Sequence, residues 1–293
     1  MITRVTTAMT SMATRANLQD SARTLADLQN RAATRQAITR PSDDPTGTQT
    51  AITTRADLAA ATQYERNLQN ADIWLSTIDA SLQTGVDLVM RVQELALRGS
   101  NGTMNEAART ASAEEVDQLR AELLNVANTQ VTGRHVFAGT HAGDTAFNQD
   151  GTWNGQAGST VQRRISDTNT IQVDVPGAQA FGAGADSVFA TLDRLSAALR
   201  SGGDVAASLT ELETARSRMV GSLTASGARH ATVSRSLESI TEKLTSLEAT
   251  RMVTEEKDLA EAAIELQTQQ VYYQAALSVS AQSIQQSLLD YLR

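Results

Sequence analysis

The sequence predicts a mainly α-helical protein: an elongated antiparallel helical bundle with coiled-coil terminal helices and a small β insert domain. First, the 293 residues contain only three prolines, Pro41, Pro45 and Pro176, and proline strongly interrupts helices. Second, apolar residues recur at spacings of three, four and seven through most of the chain, which is the pattern of a helix face. Third, this pattern disappears in one glycine-rich stretch, residues 133–185.

Composition restricts the class of protein and its partners. Aromatic residues make up only 3% of the chain, which favours thin packing between helices over a spherical core. The net charge is −8, whereas a duplex nucleic-acid binder normally shows a basic face, so we expect no nucleic acid partner. No apolar run of about eighteen residues is present, so we expect no membrane insertion. The chain has no cysteine, which excludes disulfides, thiolate zinc sites and thiol nucleophiles.

The two ends of the chain are predicted to form a pair of assembly helices, residues 1–43 and residues 258–293. Residues 1–40 hold six Arg and two Asp, while residues 258–293 hold one Arg and four acidic residues. Opposite charges and matching apolar stripes predict that these helices pack together. The pair buries little surface, so it should be disordered in the monomer and stable only among many copies. The predicted packing residues are Ile2, Val5, Met9, Met12, Leu18, Leu25 and Leu28 on the first helix and Leu266, Tyr273, Leu277, Ile284 and Leu288 on the last.

A stiff break, "ITRPSDDPTGTQTAI", follows the first helix. Pro41 disfavours helical geometry at Arg40, and Asp44 can cap a new helix that starts at Pro45. The paired aspartates could instead serve acid–base chemistry, but a helix cap, with Arg40 as an ionic partner, is the favoured interpretation. We predict a hinge made of Arg40, Pro41, Asp43, Asp44 and Pro45.

Residues 44–132 are predicted to be the N-terminal part of a helical rod. From Leu68 onward the apolar residues form a heptad pattern that predicts a coiled-coil-like seam. Its members are Leu68, Leu75, Leu82, Val89 and Ala96 in one set and Ala71, Ile78, Gly85, Val92 and Gly99 in the other. The Gly-Ser-Asn-Gly sequence at residues 99–102 predicts the end of this helix. Ser112 and Glu115 then predict a capping box at the start of a return helix.

The remaining rod and the insert follow in sequence order. Residues 133–185 are predicted to be a small β-rich outer domain, with a hairpin at Asp150-Gly151 and a strand in "TIQVDV". Residues 186–257 are predicted to be the C-terminal part of the rod, starting with a helix capped by Asp186. The Gly202-Gly203 pair predicts a break within this part.

No catalytic or cofactor site is evident in the sequence, so we expect a non-enzyme without a cofactor. His135 and His141 lie near Asp144, but they lack helical spacing and a further ligand, so exposed loop residues are favoured over a metal site. "NQDGTWNG" lacks the acidic closing ligand of a calcium loop and indicates a turn. Phosphate-loop, dinucleotide and nucleophile-elbow motifs are absent.

Five segments together resemble the flagellin superfamily. Within it, the Arg-Pro-Ser-Asp-Asp-Pro sequence, the Phe-Ala-Gly-Thr sequence and the Ser-Leu-Leu-Asp-Tyr ending are most similar to the hook-associated members, which join the flagellar hook to the filament. The segments are "RPSDDPTGTQTAI", "YERNLQNADIWLSTIDASLQ", "VQELALRGSNGT", "TGRHVFAGT" and "YYQAALSVSAQSIQQSLLDYLR".

The resemblance implies a structural role at the hook–filament junction of the bacterial flagellum. Its implied partners are the first hook-associated protein, flagellin, further copies of the chain in a ring, and a flagellar export chaperone. It also implies type III export to the cell exterior without a cleaved signal peptide. By position, Arg91, Leu95 and Glu115 match a rod surface that flagellins use for subunit contacts. The alternatives are a short filament flagellin or another secreted helical-bundle protein.

Overall fold

The computed structural model describes residues 7–100 and 104–291, without the side chains of residues 7, 8, 10, 11 and 282–291. The described part is mainly helical with two small β-sheets, which confirms the predicted fold class of a mainly α protein with a β insert. Its helices are α1 (Thr7–Thr34), α2 (Pro45–Ser100), α3 (Glu106–Ala127), α4 (Gly177–Phe181), α5 (Val188–Ser201), α6 (Ala206–Glu255) and α7 (Leu259–Tyr291). Its strands are β1 (Gln130–Val131), β2 (Arg134–His135), β3 (Gln162–Arg164) and β4 (Thr170–Gln172). None of the described helices is long and apolar enough to cross a membrane.

The chain divides into two compact units. Unit 1 combines both ends, Met1–Ala59 and Leu244–Arg293, and unit 2 is the middle, Ala60–Lys243. The boundaries between the units fall inside two helices, α2 and α6, so each of these helices contributes residues to both units.

The core of unit 2 contains the predicted heptad seam. Helix α3 packs against α5, and a Cβ placed on Gly85 of α2 would lie 3.5 Å from Leu123 of α3 and 3.6 Å from Met219 of α6. The seam therefore faces other helices of this unit and forms its core. Eight of the predicted seam residues are at most 1% exposed: Leu68, Ala71, Leu75, Ile78, Leu82, Val89, Val92 and Ala96.

Two predicted helix starts are wrong. Helix α3 begins at Glu106 rather than near Ser112, because the Asn105 side chain accepts a hydrogen bond from the Ala108 amide at 2.8 Å and caps the helix about two turns earlier. Helix α5 is capped by Ser187, whose hydroxyl accepts from the Ala190 amide at 3.1 Å, rather than by Asp186. In both cases a neighbouring polar side chain provides the cap.

The β insert is built from two antiparallel pairs of very short strands. Strands β1 and β2 pair with Gln130 opposite His135, and β3 and β4 pair with Arg163 opposite Ile171. The predicted hairpin at Asp150-Gly151 is confirmed by a hydrogen bond from the Asn148 amide to the Thr152 carbonyl at 2.9 Å. The short helix α4, which starts immediately after Pro176, was not predicted in this stretch.

Four phenylalanines, three from the insert and one from α5, form a cluster in unit 2. The rings of Phe137 and Phe147 meet the ring of Phe181 edge-on, at centroid distances of 5.0 and 5.5 Å. Phe189 on α5 completes the cluster, 6.1 Å from Phe181. All four side chains are at most 1% exposed, so the four phenylalanines of the chain all lie in the core of unit 2.

Candidate assembly site

The terminal helices α1 and α7 pack against each other within unit 1. A hydrogen-bonded contact joins them directly, because the Gln269 amide nitrogen donates to the hydroxyl and the carbonyl of Ser21 at 3.3 and 3.4 Å. A single partner helix covers only one side of each stripe, so the predicted packing residues are half-buried rather than enclosed. The half-buried members are Leu18, Leu25, Leu28, Leu266 and Tyr273.

The other predicted packing residues are more exposed or are not described. Met9 and Met12 near the start of α1 are 62% and 72% exposed, and Leu277 on α7 is 42% exposed. The α1–α7 pair therefore leaves apolar side chains uncovered at the ends of both stripes. Ile2 and Val5 lie outside the described residues, and the side chains of Ile284 and Leu288 lie outside the description.

Helix α7 carries a second apolar stripe that α1 does not cover. Ile264, Val271, Tyr272 and Val279 are each more than half exposed. At 3.6 residues per turn these four positions share one side of the helix, roughly opposite Leu266 and Tyr273. A helix with apolar residues on two faces needs more than one partner to bury them.

Two breaks in the helical chain are joined to each other. The Ala37 amide donates to the Glu255 carbonyl at 2.8 Å, and the Lys257 amide donates to the Arg35 carbonyl at 3.0 Å. These bonds form a short antiparallel bridge between the segment after α1 and the segment between α6 and α7. The bridge thus joins the residues just after α1 to the residues just before α7 within unit 1.

A salt bridge reinforces this bridge on one side. The Nε and Nη2 groups of Arg55 donate to the two oxygens of the Glu255 carboxylate, with N–O distances of 2.6 and 2.8 Å. These hydrogen bonds lower the pKa of Glu255. Sequence reasoning missed this pair, because no local motif links residues two hundred positions apart. Asp258 accepts a hydrogen bond from the Ala260 amide at 2.8 Å and caps α7. An aspartate at this position is a typical helix start, so the sequence did indicate a break between α6 and α7.

Asp43 organises the predicted hinge. Its carboxylate accepts hydrogen bonds from the Thr39 hydroxyl at 2.8 Å, the Arg40 amide at 3.2 Å and the Arg31 guanidinium at 3.1 Å. The Thr39 bond is the main reason that the pKa of Asp43 is lowered. The expected ionic partner was Arg40, and that assignment is wrong: Arg40 contributes its backbone amide, while Arg31 on α1 supplies the charge.

Asp44 and Pro45 start α2 at the other side of the hinge. The Asp44 side chain accepts from the Gly47 amide at 2.9 Å, and Pro45 is the first residue of α2. A Cβ on Gly47 would collide with the Asp44 carboxylate and would lie 2.7 Å from the Ile38 side chain. The turn is therefore compact at a position where only glycine fits without displacement.

The predicted rod surface lies partly on the exterior of unit 2 and partly in its core. Arg91 donates to Glu115 on α3 at 2.7 and 3.0 Å and to Glu94 at 3.0 Å, and Arg91 and Glu115 are both more than one third exposed. Leu95 is only 2% exposed. Because its side chain belongs to the core of unit 2, it is not available to a partner, and the exposed part of this patch is the charged network.

The histidines do not form a metal site in the described part of the chain, where no cluster of three His, Asp or Glu side chains could hold an ion. His135, expected in an exposed loop, is in fact buried. Its ring nitrogens lie 2.8 Å from the carbonyl oxygens of Asn128 and Asp144, so it fastens the loops of the insert.

Residues 5–142 match the family described as the bacterial flagellin N-terminal helical region. This range covers α1, α2, α3 and the first strands of the insert, and it includes the hinge and the Arg91 network.

Two relatives are named flagellar hook-associated protein 3. The chain is 28% identical to that protein of Salmonella typhimurium over 57% of both chains. It is also 28% identical to that of Escherichia coli, over 62% of this chain and 61% of the relative. The chain thus spans about three fifths of the length of these relatives.

Solved structures share the fold. The crystal structure of Bacillus cereus FlgL is 22% identical with a TM-score of 0.59, covering 68% of this chain and 99% of that chain. The flagellar junction protein FlgL from Legionella pneumophila is 15% identical with a TM-score of 0.53, covering 63% of this chain and 98% of that chain.

Proposed function

We propose that the chain is a structural subunit that joins the hook to the flagellin filament. Residues 5–142 match the flagellin N-terminal helical region, and the chain is similar to two relatives named flagellar hook-associated protein 3. The proposal rests on the incomplete burial of the terminal helices α1 and α7. Helices α1 and α7 pack together but leave a stripe of large apolar side chains on α7 exposed. Copies packed side by side would bury that stripe.

The proposed partners follow from the same arrangement. Further copies of the chain would cover the open stripe of α7 in a ring, with the first hook-associated protein below the ring and flagellin above it. A flagellar export chaperone would keep the terminal helices covered before assembly. The protein would act outside the cell, at the hook–filament junction, in a structural role without catalysis.

The hinge and the exposed rod patch have proposed roles in the same assembly. The hinge of Arg40, Pro41, Asp43, Asp44 and Pro45 would fix the direction in which the terminal helices leave α2. Arg91 and Glu115 would contact neighbouring subunits through their exposed charges. The proposed division of the chain remains 1–43 and 258–293 for assembly, 44–132 and 186–257 for the rod, and 133–185 for the outer insert.

Deleting the gene in the source bacterium tests the proposal. A junction subunit is needed to retain the filament, so the deletion should leave bare hooks and release unpolymerised flagellin into the medium. The measurement is electron microscopy of the hooks together with an immunoblot of the medium. A filament flagellin, the alternative function, predicts bare hooks without flagellin in the medium. Hooks that still carry filaments would exclude both roles.

A further inference from the structure

The hairpin of β3 and β4, residues 162–172, is attached to one side of α2 within unit 2. At the tip of the hairpin, the Tyr64 hydroxyl donates to the Asp167 carboxylate at 2.7 Å. In β3, the Arg164 carbonyl accepts from the Asn67 side chain at 2.8 Å. Because these two α2 residues are three positions apart, they lie on the same side of the helix. The hairpin therefore runs along α2.

Arg163 of the hairpin makes two further contacts with this side of α2. Its Nε donates to Asn70 Oδ1 at 3.0 Å, and its guanidinium carbon lies 5.9 Å from the centre of the Trp74 ring. At about 100° per residue, Asn70 and Trp74 lie on the side of α2 that also carries Asn67. Trp74 is only 1% exposed, so the hairpin covers one face of a buried ring.

The hairpin has no buried side chain of its own. Every residue from 162 to 172 is described, and none of them is buried. Its buried neighbours are Val161 and Val173 at the base, where the Val173 amide donates to the Val161 carbonyl at 2.9 Å. A two-stranded hairpin is only marginally stable by itself, and each hydrogen bond to α2 adds little net stability. The contacts with α2 can therefore break while the base and the core keep their packing.

The attached hairpin leaves one polar group beneath it unpaired. Trp74 Nε1 is buried and has no hydrogen-bond partner among the described residues. An indole nitrogen is a donor only, and burying a donor without an acceptor costs free energy. When Arg163 moves away from the ring, water next to the indole would supply an acceptor. Detachment of the hairpin thus removes part of this cost.

We propose that the β3–β4 hairpin is a lid over Trp74 that opens while the rest of unit 2 stays folded. The hydrogen bonds of Tyr64, Asn67 and Asn70 hold the closed form, and the open form exposes Trp74 and the side of α2 around it. The lid makes the exposure of this aromatic side chain adjustable, whereas the phenylalanine cluster stays enclosed. It belongs to the single chain and does not depend on the proposed junction role.

Hydrogen exchange of the full chain, followed by mass spectrometry, tests for local opening. We expect the amides of residues 162–172 to exchange faster than those of the seam between Leu68 and Ala96, at a rate that low urea concentrations leave unchanged. Exchange in the seam should accelerate with urea, because it requires unfolding of unit 2. Equal rates and equal urea dependence in both segments would overturn the lid. Hairpin amides without any protection would also overturn it, because no closed form would then exist.

Asn67→Ala removes one contact of the lid. Losing one net hydrogen bond should speed exchange in the hairpin about fivefold, while the seam exchanges no faster because alanine favours the helix. Gln69→Ala is the matched control. Gln69 is exposed on α2, about 200° around the helix from Asn67, so its loss should leave exchange in the hairpin unchanged. Equal hairpin rates in the two variants would overturn the lid, because the α2 contacts would then not hold it closed.

Hydroxyl-radical labelling shows whether the lid covers Trp74. The triple variant Tyr64→Phe, Asn67→Ala and Asn70→Ala removes the three groups of α2 that bind the hairpin. We expect oxidation of Trp74 to rise several-fold, while that of Trp153, whose indole nitrogen donates to a backbone carbonyl at 2.9 Å, stays constant. Unchanged labelling of Trp74 would overturn the proposal, because another part of the chain would then cover the ring. An equal rise at both tryptophans would also overturn it, because unit 2 would then open as a whole.

Discussion

The two units differ in what they bury. In unit 2, the heptad seam and the phenylalanine cluster are enclosed almost completely. In unit 1, the buried residues among the described side chains are Ala51, Thr54 and Ala262, none of which is large and apolar. Both units are built from amphipathic helices, so helical pattern alone does not determine whether a segment forms a core. The number of helices around each apolar stripe determines it.

The two units therefore differ in what stabilises them. Unit 2 has several helices and the insert around one core, so it can be stable as a single chain. The terminal pair of unit 1 has one contact face and leaves its second face open, so its stability depends on neighbours. The joined breaks at residues 35–37 and 255–257 mark where these helices end. Predictions that separate the two units test this view.

The largest effect is expected from Phe181→Ala. Phe181 is fully buried and contacts three other phenylalanine rings, so its truncation should lower the free energy of unfolding of unit 2 by about 3–5 kcal/mol. Both tryptophans, Trp74 and Trp153, lie in unit 2, so urea unfolding followed by tryptophan emission reports on this unit alone.

The matched control for that truncation is Tyr273→Ala on α7. Tyr273 is half-buried against α1 in unit 1, and its loss should leave the tryptophan transition unchanged. A similar shift of the transition in both variants would mean that the two units unfold together, and the comparison between them would fail.

Asp174→Asn is expected to raise the free energy of unfolding of unit 2, by less than Phe181→Ala lowers it. Asp174 is fully buried in unit 2; Oδ1 accepts from the Val161 amide at 2.9 Å, while Oδ2 has no described partner. Burial raises the pKa of this carboxyl above its ordinary value. Stability from the protonated form is thus present below the unfolded-state pKa and lost as pH rises through the folded-state pKa. The neutral amide removes the cost of burying a charge but leaves its own NH2 group without a partner, so it should stabilise unit 2 by up to about 1 kcal/mol at pH 7.

The pH dependence of the stability gain distinguishes burial of the Asp174 carboxylate from other causes. The gain from Asp174→Asn should disappear below about pH 4, where the natural carboxyl is protonated in both states. Asp150→Asn is the control in the same insert. Hydrogen bonds from Thr152 lower the pKa of exposed Asp150, so the natural carboxylate stabilises above its unfolded-state pKa and this stabilisation is lost at low pH. A gain for Asp174→Asn that is constant from pH 3 to 7 would contradict the burial argument.

Sequence reasoning identified the helices and the seam because each depends on local spacing. The heptad positions from Leu68 to Ala96 are all visible in one segment, and they are buried as a coiled-coil seam requires. The insert was located by the loss of that spacing, and the Asp150-Gly151 turn was found from its dipeptide.

Features that depend on distant residues could not be found in this way. The residues next to Leu95 in the sequence are the same whether its side chain faces a partner or the core, so they cannot distinguish the two. In the structure Leu95 is buried in the core of unit 2. Asp43 has a nearby arginine at position 40, but the fold places the α1 residue Arg31 closer to it. The Arg55–Glu255 pair joins segments from the two halves of the chain.

The smallest effect is expected at the hinge, from Gly47→Ala. The new methyl group would collide with the Asp44 carboxylate, so Asp44 would have to release the Gly47 amide, and losing this cap should destabilise the first turn of α2 by about 1 kcal/mol. The tryptophan transition should not move, while endoproteinase Asp-N, which cuts on the amino side of aspartate, should cleave faster before Asp43. Gly221→Ala is the matched control, because its Cβ would meet no atom within 4 Å; it should stabilise α6 by up to about 1 kcal/mol. Unchanged cleavage before Asp43 in the Gly47 variant would show that the Asp44 cap does not hold the hinge.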